Sequence, residues 1–286
     1  MLIKEASAKW NISERRIRKL IELGRINNAK KLGTVWYLPE DVPKPIDRRY
    51  KIELPKYNLD NRYFKDLETR TKLLKKQKAT TNTKNIELDL LFRIISENLS
   101  LLGMPITPQE VRKITLLEET IPNKSLSEHI LVRNCLKAYT SNNKRMTYIE
   151  FKNIYEELTF GLIKEPNYKE KTQINSMLDK YYRIRVSNPY LAAAYIHTMV
   201  NKIRPFAKFN SLFALILLNI TLLYKGIEPI IIPSKRLNIY KESLIDALNN
   251  DYTNLLKMII IEENNILDTY EKILNFSWQI FLLILE

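Results

Sequence analysis

Two stretches of this 286-residue chain hold side chains that could do chemistry. The first is IRPFAKFNSLF, residues 203–213. Arg204 and Lys208 flank a Pro-Phe turn between two helical runs, and Asn210 leads into the second. The first turn of a helix offers unpaired N–H groups and a positive dipole end to an anion. Arg204, Lys208 and Asn210 therefore form a candidate anion site, with Asn210 expected as the N-cap of the following helix. The loop contains no Gly, His or acidic residue. It thus offers neither a neutral base for proton transfer nor a carboxylate for a metal ion. His197 lies one heptad before Arg204, on the same helical face. It reads as a buried, hydrogen-bonded structural histidine rather than a relocated base.

The second stretch is ERRIRKLIEL, residues 14–23. At helical spacing, Ile17, Leu20 and Ile21 share one face, and Arg15, Arg16, Arg18 and Lys19 lie on the others. Ser13 is a suitable N-cap, and Gly24 a suitable C-terminal stop. A helix over IKEASAK, residues 3–9, and a turn at Trp10-Asn11-Ile12 precede it. RINNAKKLGTVWYLP, residues 25–39, follows as two short β-like runs about Leu32-Gly33-Thr34. Trp10 and Trp36 are expected in the core of this small module. The order helix, tight turn, basic helix, hairpin suits duplex DNA, with the basic helix in a major groove and Lys30, Lys31 and Thr34 at phosphate.

The charge distribution agrees. The net charge is +14, yet residues 1–80 carry 21 Lys+Arg against 10 Asp+Glu, and residues 81–286 carry 25 against 22. A solvated surface would spread the excess; its concentration in a basic head points to a polyanion. The single Cys135 excludes an internal disulfide framework and any Cys-rich zinc site. With two His in the chain, no metal site and no cofactor is expected. No leader-like segment opens the sequence. The longest apolar run, residues 211–224, is shorter than a membrane span and is bracketed by Lys208 and Lys225. A soluble cytoplasmic protein is expected, with that run as a buried central helix.

Residues 51–85 read as a charged helical connector. Its polar segment KATTNTKN, residues 78–85, is the candidate boundary. Beyond it come amphipathic runs at 86–101, 107–118, 125–139, 147–160, 173–183, 188–203, 211–225, 235–249, 251–262 and 265–284. Thr107, Pro108 and Glu110 make a capping box, and Ser187 or Asn188 with Pro189 starts another helix. The organisation is a module at 1–50, the connector, and an all-α domain at 86–286. The fold class is mainly α.

Two resemblances sharpen this. EASAKWNISERRIRKLIELGRI…AKKLGTVWYLPEDVPKPIDRR resembles the MerR/excisionase-like winged helix-turn-helix heads of some bacterial multidomain proteins. By that resemblance Ser13, Arg15, Arg16, Arg18, Lys19, Lys30, Lys31 and Thr34 are DNA-facing. Such a module reads only a few base pairs, so paired half-sites and a homodimer held by another part of the chain are expected.

NPYLAAAYIHTMVNKIRPFAKFNSLFALILLNITLLYKGIEPIII, residues 188–232, resembles the central helix–loop–helix of the Fic/Doc family. These proteins typically transfer AMP from ATP to a target hydroxyl through a loop reading His-x-Phe-x-(Asp/Glu)-Gly-Asn-Gly-Arg-x-x-Arg. INSMLDKYY, residues 174–182, and YKESLIDALNNDYTNLLKMI, residues 240–259, extend the match over roughly 88–262. Against that motif Arg204 stands for the His and cannot take a proton. Lys208 stands for the metal-binding acid. Phe209 and Ser211 stand for glycines, and Leu212 and Leu215 for phosphate-gripping arginines. LLGMPITPQEV, residues 101–111, aligns with a common inhibitory segment but has Leu102 in place of its Glu. Glu97-Asn98, with Arg93 four residues before, does not make a shifted one. GLIKEPNYKEK, residues 161–171, has little β-propensity where a target-docking flap would lie.

The resemblances together imply a DNA-binding regulator on a catalytically inactive Fic-like body that dimerises and holds a small anionic ligand or a protein partner. The alternatives are an AMP transferase of altered chemistry, with Arg204 or Lys208 on a phosphate, and an antitoxin-like interaction factor.

Overall fold

A computed structural model describes the chain except Leu23, Asn27, Asp41, Pro43, 46–53, 141–145, 165–170 and Glu286, and except the side chains of 275–285. By its contacts the chain divides into Met1–Glu53 and Leu54–Glu286.

In the first unit, Ile3, Ala6 and Trp10 recur at helical spacing and are buried by helix α1, Ile3–Trp10. Asn11, at φ 51°, ends it in the left-handed region that Asn tolerates. Helix α2 spans Glu14–Glu22 and buries Ile17, Leu20 and Ile21. The Ser13 hydroxyl accepts from the Arg16 N–H at 3.3 Å, which is the expected cap. Gly24 sits at φ 64°. It donates to the Ile21 carbonyl while Arg25 donates to that of Leu20, the Schellman pattern that needs a residue without a Cβ penalty. Strands β1, Lys30–Leu32, and β2, Val35–Tyr37, pair antiparallel with Leu32 opposite Val35. Met1 and Leu38 exchange backbone hydrogen bonds and tie this hairpin to the start of α1. Trp10 is buried and Trp36 is half-buried against the same small core.

The second unit is mainly helical, with one parallel bridge between Lys56 and Asp251. Its elements are α3 (Asn61–Thr80), α4 (Lys84–Leu101), α5 (Pro108–Arg112), α6 (Leu126–Thr140), α7 (Tyr148–Thr159), α8 (Lys171–Ser187), α9 (Pro189–Ile203), α10 (Asn210–Leu223), α11 (Leu237–Leu248) and α12 (Thr253–Leu285). The expected 107–118 helix is α5 followed by one π turn, Lys113–Leu117. Thr107 and Glu110 form the expected capping box, and Asn188 caps α9 through the Leu191 N–H at 3.0 Å. The two helices expected at 251–262 and 265–284 are one, α12. Glu262 to Asn265 contain no Gly or Pro, so no helix-breaking residue separates the two runs.

Helix α10 is the centre. Apart from Ser211 and Leu223, every residue of it is buried. A helix that is apolar on all sides must be surrounded. Helix α9 packs along it most closely, with α6 and α4 on other sides. Asn219 is buried in this apolar stripe with its carboxamide spent on one residue. It donates to the Ile230 carbonyl at 3.0 Å and accepts from the Ile230 N–H at 2.9 Å. That bond pair holds the buried, non-helical segment 227–232 against the helix and satisfies its backbone.

The expected connector is corrected. Residues 61–80 form α3, an integral part of the body whose Leu67, Thr71 and Leu74 are buried, the two leucines within the main core. KATTNTKN spans the end of α3 and the start of α4 rather than a domain boundary. Helix α3 lies on α12. Arg70 fastens the pair by reaching Asn264 at 2.5 Å, Asp268 at 2.6 Å and Glu271 at 2.9 Å. The buried stripe is one residue per turn in a helix otherwise dense with charge, so composition concealed it. Among the described residues no helix is long and apolar enough to cross a membrane.

If α3 is part of the body, Leu67→Ala lowers the stability of the body by about 2–5 kcal/mol in urea denaturation. A helix serving only as a connector would tolerate the change within about 0.5 kcal/mol.

Candidate functional site

The 203–209 loop turns because two of its residues adopt the left-handed conformation. Arg204, φ 47°, ends α9 by donating its N–H to the Val200 carbonyl at 2.9 Å. Phe209, φ 59°, precedes α10. A non-glycine residue there costs roughly 1–2 kcal/mol. Packing of the half-buried Phe209 ring against the main core offsets part of this.

Between these points Pro205 and Phe206 turn inward and are buried. Phe206 stacks on Tyr155 of α7 with centroids 3.5 Å apart and rings 8° from parallel, and packs edge-on to Phe213 of α10. The Tyr155 hydroxyl donates to the Lys208 carbonyl at 3.1 Å. Sequence reasoning did not find Tyr155. It lies some fifty residues from the loop on an ordinary amphipathic helix, and nothing in its local pattern marks it.

Asn210 is not the N-cap. It is the first residue of α10, and its carboxamide turns back on the loop. It accepts from the Phe206 N–H at 3.0 Å and donates to the Phe206 carbonyl at 2.7 Å. The residue in the cap position, Phe209, has no side-chain acceptor to offer. A short loop closing on itself takes the side chain that a free helix end would have used for capping.

The side chains of Arg204 and Lys208 are exposed. Leu212 and Leu215 are 1% and 2% exposed, so both positions belong to the core. Ser211 donates to Asn201 of α9 at 3.0 Å. His197 is fully buried, with its Nε2 3.0 Å from the Tyr240 hydroxyl of α11. Burial drives its pKa down to about 4, against a smaller opposing pull from the Ala214 backbone. It is therefore neutral at physiological pH, bonded as the sequence implied and sealed from solvent. Glu97 accepts from the Ser234 N–H at 2.6 Å and holds the short turn Ser234–Arg236. Leu102 is partly exposed just beyond α4. The expected absence of a flap at 161–171 falls largely on 165–170, outside the described residues. Among the described residues no cluster of three His, Cys, Asp or Glu side chains could hold a metal ion.

In the first unit, Ser13, Arg15, Arg16, Arg18 and Lys19 are all exposed and line a shallow depression with Glu22. At about 100° per residue, the four basic residues of α2 occupy an arc of about 160° opposite Ile17, Leu20 and Ile21. Arg18 pairs with Glu14 at 2.9 Å and Lys19 with Glu22 at 3.2 Å. Both are solvent-exposed pairs on one helix, worth a few tenths of a kcal/mol and easily exchanged. Lys30, Lys31 and Thr34 are exposed on the hairpin. Lys30 faces Tyr37 and Lys31 faces Trp36, and successive strand residues point to opposite faces. The two lysines therefore serve opposite sides of the ribbon.

No family model matches the sequence, and no curated protein does. Solved structures do match the fold. Fic-1 (aa134–508) from C. elegans matches with a TM-score of 0.65 at 15% identity, over 76% of this chain and 73% of that one. A Fic family protein from Desulfovibrio desulfuricans G20 matches at 0.58 and 14% identity, over 79% and 78%. A Fic domain containing signaling protein from Bacteroides thetaiotaomicron VPI-5482 matches at 0.53 and 17%, over 74% and 94%. The chain therefore contains a Fic-like helical fold.

Two outcomes follow from this geometry. Arg204→Gly raises thermal stability by about 1 kcal/mol, because glycine takes the left-handed cap without strain; a loss of stability would mean that the guanidinium makes a needed contact. The unfolded chain binds more protons than the native one at His197 between about pH 4 and 6.5, so this residue stabilises the fold above that window and its contribution is lost as pH falls through it. The difference in stability between wild type and His197→Gln shrinks by roughly 3 kcal/mol from pH 7 to pH 4, read by urea denaturation.

Proposed function

We propose that this chain is a DNA-binding transcriptional regulator. Its first unit acts as a winged helix-turn-helix, with α2 in the major groove and the hairpin at the phosphate backbone. Its Fic-like body acts as a pseudoenzyme that serves dimerisation and the sensing of a ligand or partner.

The observation that carries the reading is the arc of Arg15, Arg16, Arg18 and Lys19 opposite the buried face of α2. A helix held by one apolar stripe on a small core leaves its other side free to enter a groove. Cations there neutralise phosphates or read guanine edges. The charge surplus of residues 1–80 supports the same partner. For the body, support comes from the loop. Transfer of a nucleotide needs a base, a metal-holding acid and donors for the phosphates. Here the exposed positions carry Arg204 and Lys208, and the positions resembling phosphate-gripping arginines are the buried Leu212 and Leu215.

Genome-wide mapping of bound DNA supplies the duplex for the test. By fluorescence anisotropy its affinity falls steeply with salt, and Arg15→Ala with Arg18→Ala weakens it at least about tenfold. Absence of salt-sensitive binding to every enriched duplex overturns the DNA reading. Incubation of lysate with labelled ATP and Mg²⁺ leaves no target modified; a labelled band lost in Lys208→Ala overturns the pseudoenzyme reading.

A further inference from the structure

The body holds a concave site beyond the C-terminal end of α10, about 20 Å along that helix from the 203–209 loop. It is a cavity of about 650 Å³, enclosed by α3, α4, the end of α6, residues 223–229 and α12. Its size lies in the range of small-molecule sites, roughly 300–1,000 Å³.

The chemistry of its wall is divided. Leu90, Leu223 and Ile227 make an apolar side. Across from them, Lys78 is held by Glu87 at 2.7 Å and Glu228 at 2.8 Å, and its ammonium stands 5.0 Å from the centre of the Tyr270 ring. These charges answer one another. Tyr270 is 1% exposed, with its hydroxyl sealed from solvent beside Glu228. Burial pushes the hydroxyl pKa up, and the charges of Glu228 and Glu87 add to it, so the group stays protonated.

Lys75 differs from the other charged residues of the wall. It is exposed at the rim, and its ammonium donates to the Lys225 carbonyl at 3.1 Å. Among the described residues it has no ion-pair partner. It can lie across the rim because residue 226 is glycine: a Cβ there would collide with Lys75 Nζ and Cε. Gly226 also stands at φ 63°, where a side chain would be strained.

We infer that this cavity binds a small organic anion: a planar, largely apolar body seated between Leu90, Ile227 and Tyr270, with one carboxylate-, sulfonate- or phosphate-type group at Lys75. The rim cation supplies a charge-assisted bond, and the apolar wall removes the planar body from water. The site is separate from the 203–209 loop and stands whether or not the first unit binds DNA.

The probe is 8-anilino-1-naphthalenesulfonate, which has a planar body and a single anion, compared with the uncharged N-phenyl-1-naphthylamine. Fluorescence titration of the full-length protein gives saturable binding of one sulfonate probe per chain. Lys75→Met, an exposed change, weakens it about tenfold and leaves the uncharged probe within about twofold. Leu223→Trp, at a partly exposed position on the wall, reduces binding of both probes. Circular dichroism verifies that each variant is folded. Lack of saturable binding, equal affinity of the sulfonate for wild type and Lys75→Met, or an unchanged affinity in Leu223→Trp overturns the assignment.

Discussion

The structure depends on the burial of a helix that is apolar on every side. Helix α10 presents Leu, Ile, Phe and Ala in all directions, and such a helix has no surface to give to water. Helices α9, α6 and α4 pack against it and enclose it. The burden of this plan falls on polar groups, because segments that enter and leave a central helix must also be buried. Two asparagines answer it in the same way. Asn210 grips both backbone groups of Phe206 at the start of the helix, and Asn219 grips both backbone groups of Ile230 near its end. Each replaces a strand partner that the fold does not provide.

That arrangement explains the character of the candidate loop. The chain must reverse between α9 and α10 within a few residues, and it does so with two left-handed positions that are not glycine. Retention of the turn with Arg204 and Phe209 shows that packing decides here. Phe206 and Tyr155 stack face to face beneath the turn and Asn210 locks it, so the strained conformations are over-determined by their surroundings. A loop built in this way is a joint of the fold whether or not it has chemistry to do.

Charge is used differently in the two units. In the first, the basic side chains of α2 stand in water on the side opposite its buried apolar stripe. In the second, two cations tie packed elements together: Arg70 fastens α3 to α12, and Lys78 joins Glu87 to Glu228 at a cavity wall. Glu263, fully buried beside this network, has its pKa pushed well up by burial and by the charge of Glu228.

Much of the fold was legible locally. Helical spacing of apolar residues, the caps at Ser13, Thr107 and Asn188, the stop at Gly24 and the hairpin turn at Gly33 are short-range effects, decided by sterics and by hydrogen bonds within a few residues. The basic arc of α2 and the burial of His197 were also readable, since a nine-residue helix with one apolar stripe can present its other side only to solvent, and a histidine inside an apolar run has no route to water. What the sequence alone could not decide was every pairing between distant segments. The buried stripe of α3 was hidden by its charge, the continuity of α12 by two amphipathic runs that read as separate helices, and the turning of Asn210 onto Phe206 by its fitness as a cap. Tyr155 reached the loop, and Lys75 lay over Gly226, only because the helices were packed. These contacts cross tens to hundreds of residues, and side-chain periodicity fixes which face of a helix is buried but not what it is buried against.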